Sequence, residues 1–413
     1  MHNLPAHLND SALIIAPLKD NSINMSAAKT KQESGISERR PPVDGSCSWE
    51  SENIYSSARE YFEDLLNDID NAESSIELAV YIFSLDELGQ RVVSALTRAA
   101  QRKVKVRLMV DGFGSAAHAE TIAGQLTTAG VEVRIYHPLP WYWGNYRWSL
   151  RLGDRLEKFY HFIASINRRD HRKFCIIDAR MAWVGSFNIS QNHLEQVTPW
   201  RDYGVRLTGD ALPALIDSFD SIWLRRKHQK ISRRVLNLFR SNASYRLRRL
   251  SNRLLVKRIR DARQRVWICS AYFSPSGAVL RAIKSARASN LDVRIIVAGR
   301  SDVPLFPLLS ATYFADLLKL GISIYSYQAG VLHAKAMLVD NQCLIGSTNL
   351  NHRSFFHDLE LDVVLSSQTS IERMRSLLEQ DMENSLILSL DNVSKWGQFI
   401  LFGWLLRIMR YWL

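Results

Sequence analysis

Apolar and polar positions alternate along the first part of the chain in two different periods. The run SIELAVYIFS (75–84) is largely apolar and predicts a buried strand, whereas LGQRVVSALTRAAQRK places its apolar residues at helical spacing. VKVRLMVDG, AETIAGQLTTAG and VEVRIYH then predict a strand, a helix and a strand. The pattern therefore predicts a βαβαβ unit.

The same order of elements returns later in the chain. RVWICSAYFS (265–274), GAVLRAIKSARAS, LDVRIIVAG, ATYFADLLKLG and ISIYSY repeat strand, helix, strand, helix and strand. Such a repeat indicates an internal duplication. The predicted fold class is α/β with two similar βαβ-type halves, each a parallel or mixed sheet flanked by helices.

A stretch with several polar groups follows the last strand of each copy. HRKFCIIDARMAWVGSFNIS begins at His171, and HAKAMLVDNQCLIGSTNL begins at His333, 162 residues later. Both read His-x-Lys, four residues, Asp, a spacer and Gly-Ser-x-Asn, with six spacer residues in the first copy and five in the second. The candidate site residues therefore come in matched pairs.

Side chains two residues apart on a strand point to the same face, so each motif projects an imidazole and an ammonium together. The Asn joins them if the two strands of the motif pair. If both copies converge, the ammonium and amide groups suit phosphate oxygens, while one imidazole attacks phosphorus and the other protonates the leaving alcohol. The candidate catalytic residues are His171, Lys173, Asp178, Asn188, His333, Lys335, Asp340 and Asn349.

These paired motifs resemble those of the phospholipase D superfamily. The resemblance implies two halves packed with pseudo-twofold symmetry around one active site, and a two-step transfer through a covalent phosphohistidine without metal or cofactor. It implies that a carboxylate downstream of each motif orients a catalytic His, and that Asp178 and Asp340 are structural. The matching carboxylates and the supporting hydroxyls are Asp202 in WRDYGVRL, Glu360 in DLELDVVL, Ser186 and Ser347.

The resemblance covers residues 70 to 385, approximately, and is strongest to bacterial cardiolipin synthases that lack N-terminal transmembrane helices. NHRSFFHDLE adds to it, although Asn351 stands where that group usually has Asp. It implies a phosphatidyltransferase that makes cardiolipin from phosphatidylglycerol and a second phospholipid. Our hypothesis takes His171 as nucleophile and His333 as acid and base, although the sequence leaves open which His attacks. A hydrolytic phospholipase D and a nuclease of the same superfamily are the alternatives.

Composition and charge add a candidate membrane contact. The 413 residues are 46% hydrophobic and 23% charged, as expected for two domains or one duplicated fold. The net charge is +12, and fourteen Lys or Arg without any Asp or Glu lie between Arg225 and Arg260. Apolar residues at helical spacing within this stripe predict a basic amphipathic helix for an anionic lipid surface, or else a solvated linker helix.

The C-terminal WGQFILFGWLLRIMRYWL (396–413) holds three Trp, one Tyr and two Arg among apolar residues. It is too short and too charged to span a bilayer comfortably, so it predicts either an interfacial segment or a helix docked on the core. WYWGNYRW (141–148) predicts either a membrane-dipping loop or packing between the halves. We expect no cleaved signal peptide and no N-terminal transmembrane helix, and the cysteines predict buried thiols.

The predicted organisation is a disordered N-terminal extension, a first half, a basic linker, a second half and an interfacial tail, at residues 1–55, 56–224, 225–260, 261–385 and 386–413. The predicted partners are phospholipids and an anionic membrane surface, and the aromatic tail argues against nucleic acid. The predicted location is the cytoplasmic side of a bacterial membrane, bound peripherally. The sequence carries no signal for an oligomeric state.

Overall fold

A computed structural model describes residues 48–138, 168–195, 199–226, 233–303 and 306–394, together with Leu405, Arg407 and Ile408. Residues 1–47, the aromatic run 141–148 and most of the predicted tail lie outside the described residues. The fold below therefore concerns the duplicated part of the chain.

The first sheet contains seven strands. In chain order, the strands up to the end of this sheet are β1 (Trp49–Tyr55), β2 (Ser75–Val80), β3 (Lys105–Asp111), β4 (Glu132–Tyr136), β5 (Phe174–Ile177), β6 (Met181–Gly185), β7 (Trp200–Arg201) and β8 (Gly204–Gly209). All but β7 belong to it, in the order β1-β8-β6-β5-β2-β3-β4. β2, β3 and β4 are parallel, and the other pairs are antiparallel.

The second sheet repeats this arrangement. Its further strands are β9 (Phe239–Ser241), β10 (Arg265–Ser270), β11 (Asp292–Arg300), β12 (Ser323–Leu332), β13 (Lys335–Val339), β14 (Gln342–Gly346), β15 (Leu361–Leu365) and β16 (Ser385–Ile387). They lie in the order β16-β12-β11-β10-β13-β14-β15-β9, and β7 pairs with β12. β10 to β15 take the places of β2 to β6 and β8, so the predicted duplication and fold class are confirmed.

Eleven helices are described: α1 (Ala58–Asp70), α2 (Glu87–Gln101), α3 (Ala119–Thr128), α4 (Leu212–Trp223), α5 (Arg233–Leu236), α6 (Tyr245–Arg260), α7 (Gly277–Ala288), α8 (Phe306–Lys319), α9 (His352–Phe356), α10 (Gln368–Glu383) and α11 (Leu390–Ser394). Several begin at a side chain that accepts a hydrogen bond from an amide of the first turn, as Ser57, Asp86, Ser276 and Ser367 do. These caps compensate amides that have no partner within the helix.

The largest cluster of buried apolar residues lies between the two sheets, where α4 and α10 also pack. A second cluster joins the first sheet to α1, α2 and α3, and a third joins the second sheet to α6, α7 and α8. Along β5, Phe174 and Ile176 face the other sheet, while Cys175 and Ile177 face the helices. Burial on both faces explains why these strands are continuously apolar.

The Asp of each motif lies in the turn of a β-hairpin. Asp178 has φ 54° and Asp340 has φ 49°, in the left-handed region. Ile177 pairs with Met181 around a three-residue turn, whereas Val339 pairs with Gln342 around a two-residue turn. The extra turn residue accounts for the longer spacer of the first motif.

The structure places parts of the predicted extension and linker inside the fold. Residues 49–55, assigned to a disordered extension, form β1 and pair with β8. In the predicted basic linker, residues 239–241 form β9, which pairs with β15, and 245–260 form α6. The extension prediction was therefore wrong for residues 49–55 and the linker prediction for residues 239–241, because pairing with the sheets orders them. α6 is the basic amphipathic helix that the spacing of its apolar residues predicted.

None of the described helices is both long and apolar enough to cross a membrane. The three described cysteines, Cys175, Cys269 and Cys343, are free and buried, as their apolar surroundings in the sequence predict.

Candidate active site

One backbone contact between the halves brings Asp202 beside His333. β7 pairs in parallel with the end of β12, and the N–H of His333 donates to the carbonyl of Arg201 at 2.9 Å. Asp202 follows Arg201 in the chain, and its Oδ1 lies 2.9 Å from Nδ1 of His333. Both residues are buried. Pairing of the main chains therefore fixes the pairing of the side chains.

The counterpart contact brings Glu360 beside His171. The N–H of His171 donates to the carbonyl of Leu359 at 3.0 Å, and the next residue, Glu360, places its carboxylate 3.2 Å from Nδ1 of His171. Each His is thus oriented by the carboxylate of the other half. Nδ1 of His171 also lies 3.1 Å from the carbonyl of Ser347. With the proton of each Nδ1 directed to these acceptors, Nε2 carries the lone pair of a neutral imidazole.

The second oxygen of each carboxylate has a different partner in the two halves. Nδ1 of His193 lies 3.0 Å from Oδ2 of Asp202. Ser354 donates its hydroxyl to Oε1 of Glu360 at 2.5 Å, and Ser347 also donates to this carboxylate. Asp202 therefore sits between two imidazoles, whereas Glu360 sits between an imidazole and two hydroxyls.

The other predicted serine, Ser186, does not contact a carboxylate in the same way. Its hydroxyl donates to the carbonyl of Tyr203 at 3.2 Å and accepts from the N–H of Tyr203 at the same distance. Ser186 therefore ties β6 to the chain next to Asp202, while its counterpart Ser347 touches Glu360 itself.

The two lysines are held in the same way. Nζ of Lys173 donates to the carbonyl of His171 at 2.7 Å, and Nζ of Lys335 donates to the carbonyl of His333. A tyrosine ring lies near each ammonium: the ring centre of Tyr81 is 5.0 Å from Nζ of Lys173, and that of Tyr272 is 5.9 Å from Nζ of Lys335. Both ammoniums are buried.

The two asparagines are fixed by main-chain amides. Oδ1 of Asn188 accepts from the N–H of Ile82, and Oδ1 of Asn349 accepts from the N–H of Tyr272, both at 3.3 Å. Nδ2 of Asn188 is buried and has no hydrogen-bond partner among the described residues. A buried donor without a partner is costly, so an anion bound here would compensate it.

The pocket lowers the pKa of its cationic groups. Burial, with the charge of Lys335, lowers the pKa of Lys173 to about 7, and burial lowers the pKa of Lys335 to about 8. Burial and then the two lysines hold the pKa of His171 well below its usual value. Burial lowers the pKa of His333 to about 4, although the charge of Asp202 opposes this shift. These shifts show that groups from both halves share one electrostatic environment.

The pKa values of the two carboxylates, Glu360 and Asp202, are shifted in opposite directions. Burial raises the pKa of Glu360 to about 7, in spite of Lys173 and the two serine hydroxyls. Burial would also raise the pKa of Asp202, but the charge of His333 and hydrogen bonds from His193 and His333 outweigh it and hold this pKa well below its usual value. Asp202 is therefore the more strongly ionised of the two.

The structure does not bring Asp178 and Asp340 to the pocket. Asp178 accepts hydrogen bonds from the N–H groups of residues 73–75, and Asp340 from those of residues 263–265. Each lies five residues beyond the motif Lys, at the far end of its strand, about 16 Å away. Hydrogen bonds to these amides fix the start of β2 and β10.

Several residues of the pocket were missed from the sequence. Tyr81 lies one residue after β2 and Tyr272 two residues after β10, so they are offset by one position and Tyr272 aligns with Ile82. His193 and Ser354 each lie five residues after the Asn of the motif, so alignment of the repeats could have identified them as a pair.

Two matched segments now decide the family. Residues 65–223 and 255–382 both match the family model described as "Cardiolipin synthase, PLD-like domain". The chain belongs to this family. It is an enzyme of the phospholipase D superfamily, and the two matched segments coincide with the two sheets and their motifs.

Individual proteins agree with this assignment. The chain is 28% identical over 350 residues to the minor cardiolipin synthase ClsB of Bacillus subtilis, and 30% identical over 354 residues to cardiolipin synthase B of Salmonella typhi. Each alignment covers 81% of this chain and 81% of the relative.

Solved structures show the same fold at low sequence identity. The crystal structure of phosphatidylserine synthase from Haemophilus influenzae matches with a TM-score of 0.64 at 13% identity, covering 88% of this chain and 96% of that one. Polyphosphate kinase from Porphyromonas gingivalis matches with a TM-score of 0.53 at 13% identity, covering 80% of this chain and 50% of that one. At such identity the likeness concerns the fold alone.

Proposed function

We propose that this enzyme makes cardiolipin by transferring a phosphatidyl group from phosphatidylglycerol to the hydroxyl of a second phospholipid through a phosphohistidine. The observation that supports the proposal is the pair of crossed His–carboxylate contacts in one buried cationic pocket. Relatives named cardiolipin synthase supply the substrate class.

In the first step, Nε2 of His171 forms a bond to phosphorus, and the bond from phosphorus to the glycerol oxygen breaks. The anionic phosphodiester, once bound, raises the lowered pKa of His333, so this imidazole enters the step with a proton on Nε2. It gives this proton to the glycerol oxygen, and glycerol leaves. In the second step, the acceptor hydroxyl gives its proton to His333 and attacks phosphorus, and the P–N bond breaks. His171 and His333 then return to their initial states.

The unequal carboxylates support this division of roles. An ionised Asp202 stabilises the imidazolium that His333 becomes each time it carries a proton. Glu360, whose pKa is raised to about 7, gives His171 less of this support, so His171 is the less basic imidazole. A neutral imidazole is the form that attacks phosphorus.

The remaining motif residues suit the phosphate itself. The ammoniums of Lys173 and Lys335 and the amides of Asn188 and Asn349 can hold the non-bridging oxygens of the phosphodiester. A phosphodiester carries one negative charge, so its binding compensates the buried cations and raises their lowered pKa values.

We also propose that the enzyme binds the cytoplasmic surface of the membrane peripherally. On α6, the residues that face solvent form one basic stripe: Arg246, Arg249, Arg253, Lys257 and Arg260. Its apolar face is buried against the protein, so α6 would contact anionic lipid through its charges rather than by inserting. In the tail, Arg407 donates to Thr312, while Leu405 and Ile408 are exposed.

The experiment that tests the reaction uses the purified protein with phosphatidylglycerol vesicles, and mass spectrometry of the products. We expect cardiolipin and glycerol. Phosphatidate without cardiolipin would replace the proposal with hydrolysis, and inert lipid together with cleaved DNA would replace it with a nuclease.

The role of each His is tested by trapping. The leaving group of a phosphatidyl ester of p-nitrophenol needs no proton. This ester should therefore react with His333→Ala and leave its phosphatidyl group attached to the protein. His171→Ala should bind none. Phosphate trapped in His171→Ala but not in His333→Ala would reverse the assignment.

A further inference from the structure

His193 is a buried imidazole next to the pocket that the repeated motif does not include. It ends a short 3-10 helix, Gln191–His193, which follows the motif Asn188. Its Nε2 accepts a hydrogen bond from the N–H of Asn188 at 3.1 Å. Nε2 therefore carries the lone pair, and in the neutral ring the proton is on Nδ1.

Nδ1 of His193 faces the carboxylate that orients His333. It lies 3.0 Å from Oδ2 of Asp202, whose Oδ1 lies 2.9 Å from Nδ1 of His333. All three side chains are buried, so water does not compete for these contacts. The centres of the imidazole rings of His193 and His333 are 6.2 Å apart.

The second half has a different group at the same place. Ser354 also lies five residues after its motif Asn, and it donates its hydroxyl to Glu360. The repeated fold therefore puts a donor on the second oxygen of each carboxylate. In one half this donor is an imidazole on a short 3-10 helix, and in the other it is a hydroxyl within α9.

We propose that His193 is a positioning residue for the acid–base His of the reaction. The 3.0 Å contact of its Nδ1 with Oδ2 of Asp202 limits rotation of the carboxylate, so that Oδ1 stays on Nδ1 of His333. This keeps Nε2 of His333 directed to the alcohol oxygen in both steps. The inference rests on the proposed function, because it takes His333 as the group that exchanges a proton with the alcohol.

The test compares two leaving groups in single-turnover measurements with the full-length protein. Glycerol leaving from phosphatidylglycerol needs a proton, whereas p-nitrophenol leaving from its phosphatidyl ester does not. A residue that acts through the general acid affects the first release and spares the second. A residue needed only for folding affects both.

Two variants with side chains of nearly equal size separate the effect of the N–H of His193 from the effect of its side-chain volume. His193→Asn keeps a side-chain N–H close to the position of Nδ1, and His193→Leu has none. We expect His193→Leu to slow glycerol release about 10- to 100-fold and p-nitrophenol release less than about threefold. His193→Asn should recover most of the lost rate of glycerol release.

Ser354→Ala is the matched control on the other carboxylate. Since Glu360 orients the proposed nucleophile, Ser354→Ala should slow both releases by similar factors. Equal losses with both leaving groups in His193→Leu, equal rates in His193→Asn and His193→Leu, or no loss in either variant would overturn the inference.

The outcomes also separate this inference from the proposed function. If His333→Ala itself slows both releases equally, the acid–base role of His333 is wrong. If His333→Ala spares p-nitrophenol release and His193→Leu does not, only the role of His193 is wrong. If circular dichroism shows that His193→Leu is unfolded, His193→Asn still decides. Its rates of glycerol and p-nitrophenol release are then compared with those of the native protein, and a loss of more than about tenfold in both would contradict the inference.

Discussion

The two halves share the order of their strands and the four residues of the motif, yet they hold their carboxylates differently. The first half contributes Asp202, which lies between the imidazoles of His333 and His193. The second contributes Glu360, which accepts from serine hydroxyls and has its pKa raised to about 7. The two halves therefore share one arrangement of strands. The residues that contact each carboxylate differ between the halves, and this difference makes the two histidines chemically unequal.

A second contrast concerns the helix that precedes the first strand of each half. Four residues separate α1 from β2, and α1 exposes Glu60, Glu63 and Asp64 beside a single Arg59. Four residues also separate α6 from β10, and α6 exposes its basic stripe. Of these two helices, α1 therefore exposes mainly acidic side chains and α6 mainly basic ones.

The largest effect should come from the carboxylates. We expect Asp202→Asn to lower kcat by about 10³- to 10⁴-fold, because an amide can leave His333 in the wrong tautomer and cannot stabilise its charged form. Glu360→Gln should cost about 10- to 100-fold, since Glu360 is the less ionised partner. Steady-state rates of cardiolipin formation measure both. Equal losses would show that the two carboxylates do equivalent work.

The next effect concerns the charged helices. Replacing Arg246, Arg249 and Arg253 by Ala should weaken binding to anionic vesicles by about 100-fold, at about 1 kcal/mol for each charge. Glu60→Gln with Glu63→Gln on α1 is the matched control and should not weaken binding. Sedimentation with vesicles of phosphatidylglycerol, at low and high salt, measures the partition. Unchanged binding of the α6 variant would remove this helix from the membrane contact.

A smaller effect follows from the lowered pKa values of the lysines. A dialkyl phosphate keeps one negative charge at neutral and alkaline pH. It binds best when Lys173 and Lys335 are protonated. Their pKa values of about 7 and about 8 mean that affinity is highest below pH 7 and falls as the pH rises through these values. The slope should reach about tenfold per pH unit for each lysine that takes up a proton on binding.

Isothermal titration calorimetry in two buffers of different ionisation enthalpy counts the protons taken up. Lys173→Met should weaken the step near pH 7, to which Glu360 with its pKa of about 7 also contributes, and should keep the step near pH 8. An affinity that stays constant between about pH 6 and pH 9 would contradict the lowered pKa values.

The sequence predicted the repeat, the order of its strands and helices and the paired polar residues, because these depend on local periodicity and on a motif that occurs twice. It also predicted buried cysteines correctly. It was wrong about residues 49–55 and 239–241, because their order comes from pairing with β8 and β15, which are distant in the chain.

By itself, the sequence determined which groups come in matched pairs: two imidazoles, two ammoniums and two amides at fixed spacings on or beside strands. Only the tertiary structure decided which carboxylate orients which His. That choice depends on the pairing of β7 with β12 and of Leu359 with the segment before His171, contacts between residues more than a hundred positions apart. Periodicity along a chain determines which face of a strand each side chain occupies. Long-range backbone hydrogen bonds determine which segments, and therefore which side chains, become neighbours.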